Sequence, residues 1–94
     1  MYQNLQHSFE NSVILVVEDD YDLNQAICYS LKKSGYGVYG VTFMEKGKQT
    51  FIENQIDLIL LDVNLPDGEG FSFCQWVRSE EHTSELQSPM FISY

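Results

Sequence analysis

Two short runs of apolar residues, each ending directly in acidic side chains, constrain the fold of this chain more than any other feature. The run VILVV occupies Val13–Val17 and is followed at once by Glu18 and Asp19. A second run at residues 56–61, interrupted by Asp57, ends at Asp62. Short strands that are apolar on both faces are typical of a parallel sheet that is covered on both sides. We therefore predict two buried strands that each carry carboxylates at their C-terminal end.

The segments between and after these runs predict helices. Leu23, Ile27 and Leu31 recur every fourth residue, which predicts an amphipathic helix over residues 22–34. Weaker patterns predict a strand at 38–41, a helix at 44–54 and a third helix from residue 70 onward. Alternating strands and helices indicate an α/β fold with a parallel sheet. Right-handed crossovers then bring the C-terminal ends of all strands to one edge of that sheet.

The composition excludes several classes of protein. The 94 residues include 14 acidic and 5 basic side chains, a formal net charge of −9, so the chain lacks the clustered Lys and Arg that neutralise a nucleic-acid backbone. No apolar run approaches the ~20 residues that a membrane span needs. Cys28 and Cys74 have no metal-binding spacing and suit a reducing compartment. We predict a cytoplasmic chain that by itself binds neither nucleic acid nor membrane.

The acidic residues predict a shared site if the two apolar runs are neighbouring strands. One strand often ends in acid because the chain returns to water there, but two such strands favour convergence of Glu18, Asp19 and Asp62. Like charges ~4 Å apart repel by about 4 kcal/mol at an effective dielectric constant near 20. The cluster would therefore raise the pKa of one member or hold a divalent cation. Oxygen ligands without nearby His or Cys favour Mg2+ or Mn2+.

Two segments make the interpretation more specific. ILVVEDD at residues 14–20 and DLILLDVNLPDG at residues 57–68 resemble the receiver domain of two-component response regulators. The resemblance covers residues 13–77. It implies a three-layer, doubly wound α/β fold of the flavodoxin-like type, with a parallel sheet in the strand order 2-1-3-4-5.

The resemblance also implies a role for each matching site residue. Asp62 would be the phosphoacceptor, Asp19 would bind Mg2+ directly, Glu18 would act mostly through water, and Asn64 would contribute its backbone carbonyl to the metal. The phosphoryl group would come from the phosphohistidine of a sensor histidine kinase. Such a domain modifies its own aspartate and is not a turnover enzyme, and it controls an output domain, most often DNA-binding, that this chain lacks.

Two alternatives stay open at the level of the sequence. A receiver-like module could bind partners without phosphorylation, although Glu18, Asp19 and Asp62 are all present and favour the phosphoaccepting function. A hydrolase that forms an aspartyl phosphate would need a second Asp two residues after its nucleophile, and Asn64 stands at that place.

The C-terminal part of the chain departs from the family pattern. Receivers have five strand–helix units, with a Thr or Ser after the fourth strand and a Lys after the fifth, whereas the pattern here ends within the third helix. The segment RSEEHTSELQS (residues 78–88) is identical to the translation of a common sequencing adapter. The last three residues, ISY, match that adapter's continuation in the same frame, and the residues between leave room for a sample index. The alternative is a natural variant in which residues 89–93 imitate a fourth strand. In that case the eleven-residue match to the adapter would be a coincidence.

We accordingly predict three segments: a flexible leader at 1–12, a partial receiver domain at 13–77 and a non-native, adapter-derived tail at 78–94. A receiver cut after its third helix leaves its third strand as an apolar edge, which promotes aggregation. We expect such a fragment to be inactive in phosphotransfer and of low stability in isolation.

Overall fold

The computed structural model of the chain describes residues 12–62, 65, 69–79 and 90–94, and in this part strands and helices alternate as predicted. The elements are β1 (Val13–Val17), α1 (Tyr21–Lys33), β2 (Gly37–Val41), α2 (Met44–Glu53), β3 (Leu58–Leu61), α3 (Glu69–Ser79) and β4 (Met90–Ser93). The bounds of β1 to β3 and of α1 and α2, and the start of α3, lie within one or two residues of the predicted ones, whereas β4 was not predicted. No described helix has both the length and the apolar character that crossing a membrane requires.

The described strands form one parallel sheet in the order β2-β1-β3-β4. Val17, at the end of β1, is aligned with Val41 at the end of β2 and with Leu61 at the end of β3. The three strands therefore end at the same level. The predicted doubly wound parallel architecture is confirmed, and the observed order is the beginning of 2-1-3-4-5.

The central strands are covered on both faces, which explains why their sequences are apolar throughout. On one face, α2 and α3 contribute Phe51, Phe73 and Val77 to a core that contains Leu15 and Ile59. On the other face, α1 packs on a second core, whose buried members are Ile14, Val16 and Cys28. Because successive side chains of a strand point to opposite faces, β1 supplies both cores.

Helix α1 begins and ends with local signals that the sequence carries. Asp20 caps the helix, and its Oδ1 accepts a hydrogen bond of 3.2 Å from the backbone N–H of Leu23. Lys32 and Lys33 lie in the last turn, where positive charge suits the helix dipole. Gly35 follows with φ of 102°, a conformation that side chains with a β-carbon rarely adopt.

The face that α1 turns to the sheet differs from the predicted one. Leu23 is 44% exposed, whereas its neighbour Asn24 is 1% exposed. Ile27 and Leu31 do pack against the second core, together with the buried Cys28. The helix is therefore rotated so that Asn24 and Cys28 approach β2, and the polar Asn24 satisfies backbone groups there.

The C-terminal residues cover the strand that was expected to be an exposed edge. Strand β4 pairs with β3, and the hydrogen bonds from Met90 N to Asp57 O (3.1 Å) and from Tyr94 N to Leu61 O (3.0 Å) flank the ladder. The run Met-Phe-Ile is apolar and suits a strand, so it can pair with the backbone N–H and C=O groups on the side of β3 that faces away from β1. Helix α3 also continues to Ser79, two residues beyond the predicted domain boundary.

The pairing of β4 moves the exposed edge to β4 itself. Met90 is 67% and Ile92 46% exposed, so within the described residues this edge offers backbone groups outside the sheet ladder together with apolar side chains. We expect Ile92→Lys to reduce self-association of the chain, as measured by light scattering over a concentration series. Phe71→Lys, at a more exposed apolar position on α3 (69%), is the control. An equal reduction in both variants would show that loss of exposed apolar surface in general, and not the strand edge, governs association.

Candidate metal centre

Three carboxylates lie at the C-terminal edge of the sheet, where β1 and β3 end side by side. The backbone pairing continues for one residue beyond each strand. Glu18 N donates to Val41 O (3.1 Å) and Asp62 N donates to Val17 O (3.2 Å). These hydrogen bonds hold Glu18 and Asp62 in fixed positions at the edge, and Asp19 follows directly in the turn after β1.

The predicted convergence of Glu18, Asp19 and Asp62 is confirmed by the geometry. One carboxylate oxygen from each of the three residues lies within 4.8 Å of those of the other two. Glu18 is 1% and Asp62 8% exposed, whereas Asp19 is exposed. Two carboxylates thus form the buried floor of the cluster and the third lies on its solvent side, so the centre is accessible from outside.

Burial raises the pKa of the Glu18 carboxyl group. Loss of hydration raises the pKa of its carboxyl group above the ordinary range, and the neighbouring Asp62 raises it further. Hydrogen bonds from Asp20 N (2.9 Å) to Oε2 and from the hydroxyl of Tyr94 (3.0 Å) to Oε1 act in the opposite direction without cancelling the rise. The buried negative charge is therefore only partly compensated by the described residues around it.

The donor set fits a hard divalent cation. The cluster offers only carboxylate oxygens and contains neither His nor Cys, which are the ligands that Zn2+ prefers. Mg2+ binds oxygen ligands through one or two carboxylates and keeps open positions for water or phosphate oxygens. A cation at this position would also offset the repulsion between the buried carboxylates of Glu18 and Asp62. The chemistry of these residues thus suits Mg2+.

A cavity beside Asp62 provides space for a group bound to its carboxylate. Its volume is about 370 Å³. The lining residues are Leu61, Asp62, Leu65, Gly70, Phe71, Cys74 and Ser93. The cavity therefore lies between the end of β3, the start of α3 and the end of β4, on the same edge as the three carboxylates.

The structure adds two residues that the sequence did not indicate. Asn24 is buried beside the cluster and donates hydrogen bonds to backbone carbonyls. The sequence signal that could have indicated its burial is its position in α1, four residues before Cys28. Tyr94 reaches Glu18 across a separation of 76 residues, for which the sequence holds no signal. The predicted ligand Asn64 lies outside the described residues.

Comparison with known families gives one clear match. A family model described as "Response regulator receiver domain" matches residues 14–89. Among curated proteins, the transcriptional regulatory protein GltR of Pseudomonas aeruginosa is 37% identical over 68 residues, which are 72% of this chain and 28% of that protein. The cell cycle transcriptional regulator CtrA of Caulobacter vibrioides is 34% identical over 79 residues, 84% of this chain and 32% of that protein.

Solved structures agree with this match. The non-phosphorylated HemR receiver domain of Leptospira biflexa superimposes with a TM-score of 0.72 at 28% identity, covering 88% of this chain and 64% of that one. The chemotaxis response regulator CheY4 of Vibrio cholerae gives a TM-score of 0.73 at 25% identity, covering 85% and 65%. The chain thus spans about a third of the curated relatives and about two thirds of these receivers.

Proposed function

Because this chain belongs to the response regulator receiver domain family, we propose that it is the phosphoaccepting part of a cytoplasmic two-component response regulator, with a sensor histidine kinase as its phosphodonor. The convergence of Glu18, Asp19 and Asp62 within 4.8 Å carries this proposal, because the same three residue types at the same strand ends perform this chemistry in the family. Curated relatives are transcriptional regulators, so a DNA-binding output domain in the parent protein is part of the proposal.

The proposed ligand roles follow the burial of each residue. Asp19 is exposed and turns an accessible carboxylate toward the centre, which suits direct binding of Mg2+. Glu18 is buried and already accepts two hydrogen bonds, which suits a role through water. Asn64 would add its backbone carbonyl. When bound, Mg2+ would neutralise negative charge on the transferring phosphoryl oxygens.

Asp62 performs the chemical step. One of its carboxylate oxygens attacks phosphorus, and an O–P bond forms while the P–N bond of the phosphohistidine breaks. The electron pair of that bond remains on the imidazole, which takes up a proton from solvent. The adjoining cavity of about 370 Å³ gives the new phosphoryl group room at the acceptor oxygen. Since the protein's own carboxylate is modified, the proposed activity is self-phosphorylation and not turnover of a metabolite.

Phosphoryl transfer to the parent protein tests this function. We expect the full-length parent, incubated with labelled acetyl phosphate and Mg2+, to incorporate label that hydroxylamine removes, since an acyl phosphate reacts with that nucleophile. A chelator is expected to prevent the labelling. A parent protein that stays unlabelled with both acetyl phosphate and its kinase would instead favour the phosphorylation-independent interaction module.

We also retain the proposal of three segments, with a leader at 1–12, receiver sequence at 13–77 and adapter-derived sequence at 78–94. The codon-by-codon identity of RSEEHTSELQS with an adapter supports it. In this interpretation β4 imitates a fourth strand because its residues are apolar. Sequencing the source locus beyond Val77 tests it. A native gene is expected to continue into an apolar fourth strand and a fifth strand followed by Lys.

A further inference from the structure

Asn24 is a buried polar residue that connects α1 to the ends of β1 and β2. Its side chain is 1% exposed. The amide nitrogen Nδ2 donates one hydrogen bond to Glu18 O (3.0 Å) and another to Val41 O (2.8 Å). Two carbonyl oxygens face this group, so only the nitrogen end of the amide can satisfy both. The side chain thus joins three elements at the edge that carries the acidic cluster.

The surroundings of Asn24 leave the amide little freedom. Its Oδ1 accepts a hydrogen bond from Cys28 Sγ (3.4 Å), one helical turn further along α1. On the sheet side, a β-carbon built on Gly40 would lie only 2.5 Å from Asn24 Oδ1 and 2.6 Å from Cys28 Sγ. The close approach of α1 to β2 therefore requires the glycine. This approach leaves the Asn24 amide within hydrogen-bond distance of the two carbonyls.

The bond to Glu18 O acts on the acidic cluster through the backbone. This carbonyl belongs to the peptide plane that joins Glu18 to Asp19, so holding the plane restricts the positions of the α-carbons from which both side chains extend. The carboxylates repel one another, and a turn without this hydrogen bond would relax by moving Asp19 away from Asp62. The amide opposes that movement before any cation binds.

We propose that Asn24 is a positioning residue for the cation site, holding the Glu18–Asp19 peptide so that the carboxylates converge. This inference rests on the proposed function, since it assigns Asn24 a role in binding the Mg2+ used there. Removal of groups that orient metal ligands typically costs 10–100-fold in metal affinity. We expect Asn24→Ala to weaken Mg2+ binding by about ten-fold or more.

Mg2+ titration calorimetry on the full-length parent protein tests the proposal, with urea unfolding as the measure of stability. Leu31→Ala is the matched control, because Leu31 packs on the same sheet face and lies near the C-terminal end of α1, whereas the acidic turn precedes its N-terminal end. We expect Leu31→Ala to lower stability and leave the Mg2+ affinity of the folded chain within about two-fold. If Asn24→Ala does not fold, Asn24→Ser is measured instead. Its single hydroxyl can serve one carbonyl, and we expect an intermediate loss of affinity.

Three outcomes would overturn the proposal. Unchanged Mg2+ affinity in the folded Asn24 variants would remove the positioning role while leaving the proposed function intact. An equal loss of affinity in Leu31→Ala would assign the effect to general destabilisation. Absence of Mg2+ binding by the unmodified parent protein would overturn the metal role in the proposed function, and this inference with it.

Discussion

Replacement of Asp62 by alanine in the parent protein is expected to abolish incorporation of phosphate from acetyl phosphate or kinase. In the proposed function the carboxylate oxygen of Asp62 is the nucleophile. Glu18 is buried and engaged by two hydrogen bonds, and Asp19 is assigned to the metal, so we expect neither carboxylate to take over. The measurement is hydroxylamine-sensitive label per mole of protein, with Mg2+ present. The expected value is the background of the assay.

Asp22→Ala is the matched control for this experiment. Asp22 lies in the first turn of α1 and is exposed. Its replacement by alanine removes one negative charge, as Asp62→Ala does, but outside the cluster. We expect it to incorporate label like the unmodified parent. Asp62→Asn, which keeps the shape of the side chain, is expected to behave as Asp62→Ala does. Full labelling of either Asp62 variant would place the phosphoryl group on another residue and refute the assignment.

The largest expected effect on stability comes from Phe73 in α3. Its side chain is 1% exposed, lies in the core between the sheet and the helices α2 and α3, and stacks on Trp76 with ring centroids 5.9 Å apart. Truncation of a buried Phe to Ala costs about 3–5 kcal/mol because it removes apolar contact and leaves a cavity. Small domains have total stabilities as low as about 5 kcal/mol. We therefore expect Phe73→Ala to leave the chain at the limit of folding.

Trp76, the single tryptophan of the chain, reports this change directly. We expect the urea midpoint of its fluorescence to fall by more than about 1 M in Phe73→Ala, or the folded baseline to be lost. Phe71→Ala is the control on the same helix. Phe71 is 69% exposed, and truncation at such positions usually changes stability by about 0.5 kcal/mol or less. Equal midpoints for the two variants would contradict the described packing of α3.

The sequence alone predicted the parallel strands β1 to β3 and, if β1 and β3 are neighbours, the acidic cluster. Val13–Val17 is apolar at every position because both faces of β1 are covered, and this pattern is local. Parallel alignment then fixes where the strands end, so Glu18 and Asp62 had to meet at one edge once the two strands were neighbours. The resemblance of residues 57–68 to receivers supplied the remaining roles, which stay predictions until phosphorylation is measured.

The rotation of α1 could not be predicted in the same way. A stripe through Leu23, Ile27 and Leu31 and a stripe through Asn24, Cys28 and Leu31 both satisfy helical spacing. Apolar content favoured the first stripe. The second is buried because Asn24 finds two carbonyl acceptors at the ends of β1 and β2, and those acceptors exist only after the sheet has formed.

The chain's own sequence thus determined its alternating architecture and the edge at which its carboxylates gather, because strand burial and strand direction follow from patterns within a few neighbouring residues. Tertiary structure alone decided that Asn24 faces the sheet, that Tyr94 reaches Glu18 and that β4 covers β3. Each of these contacts joins residues far apart in the chain. The energy of each contact depends on a partner residue that local sequence patterns do not specify.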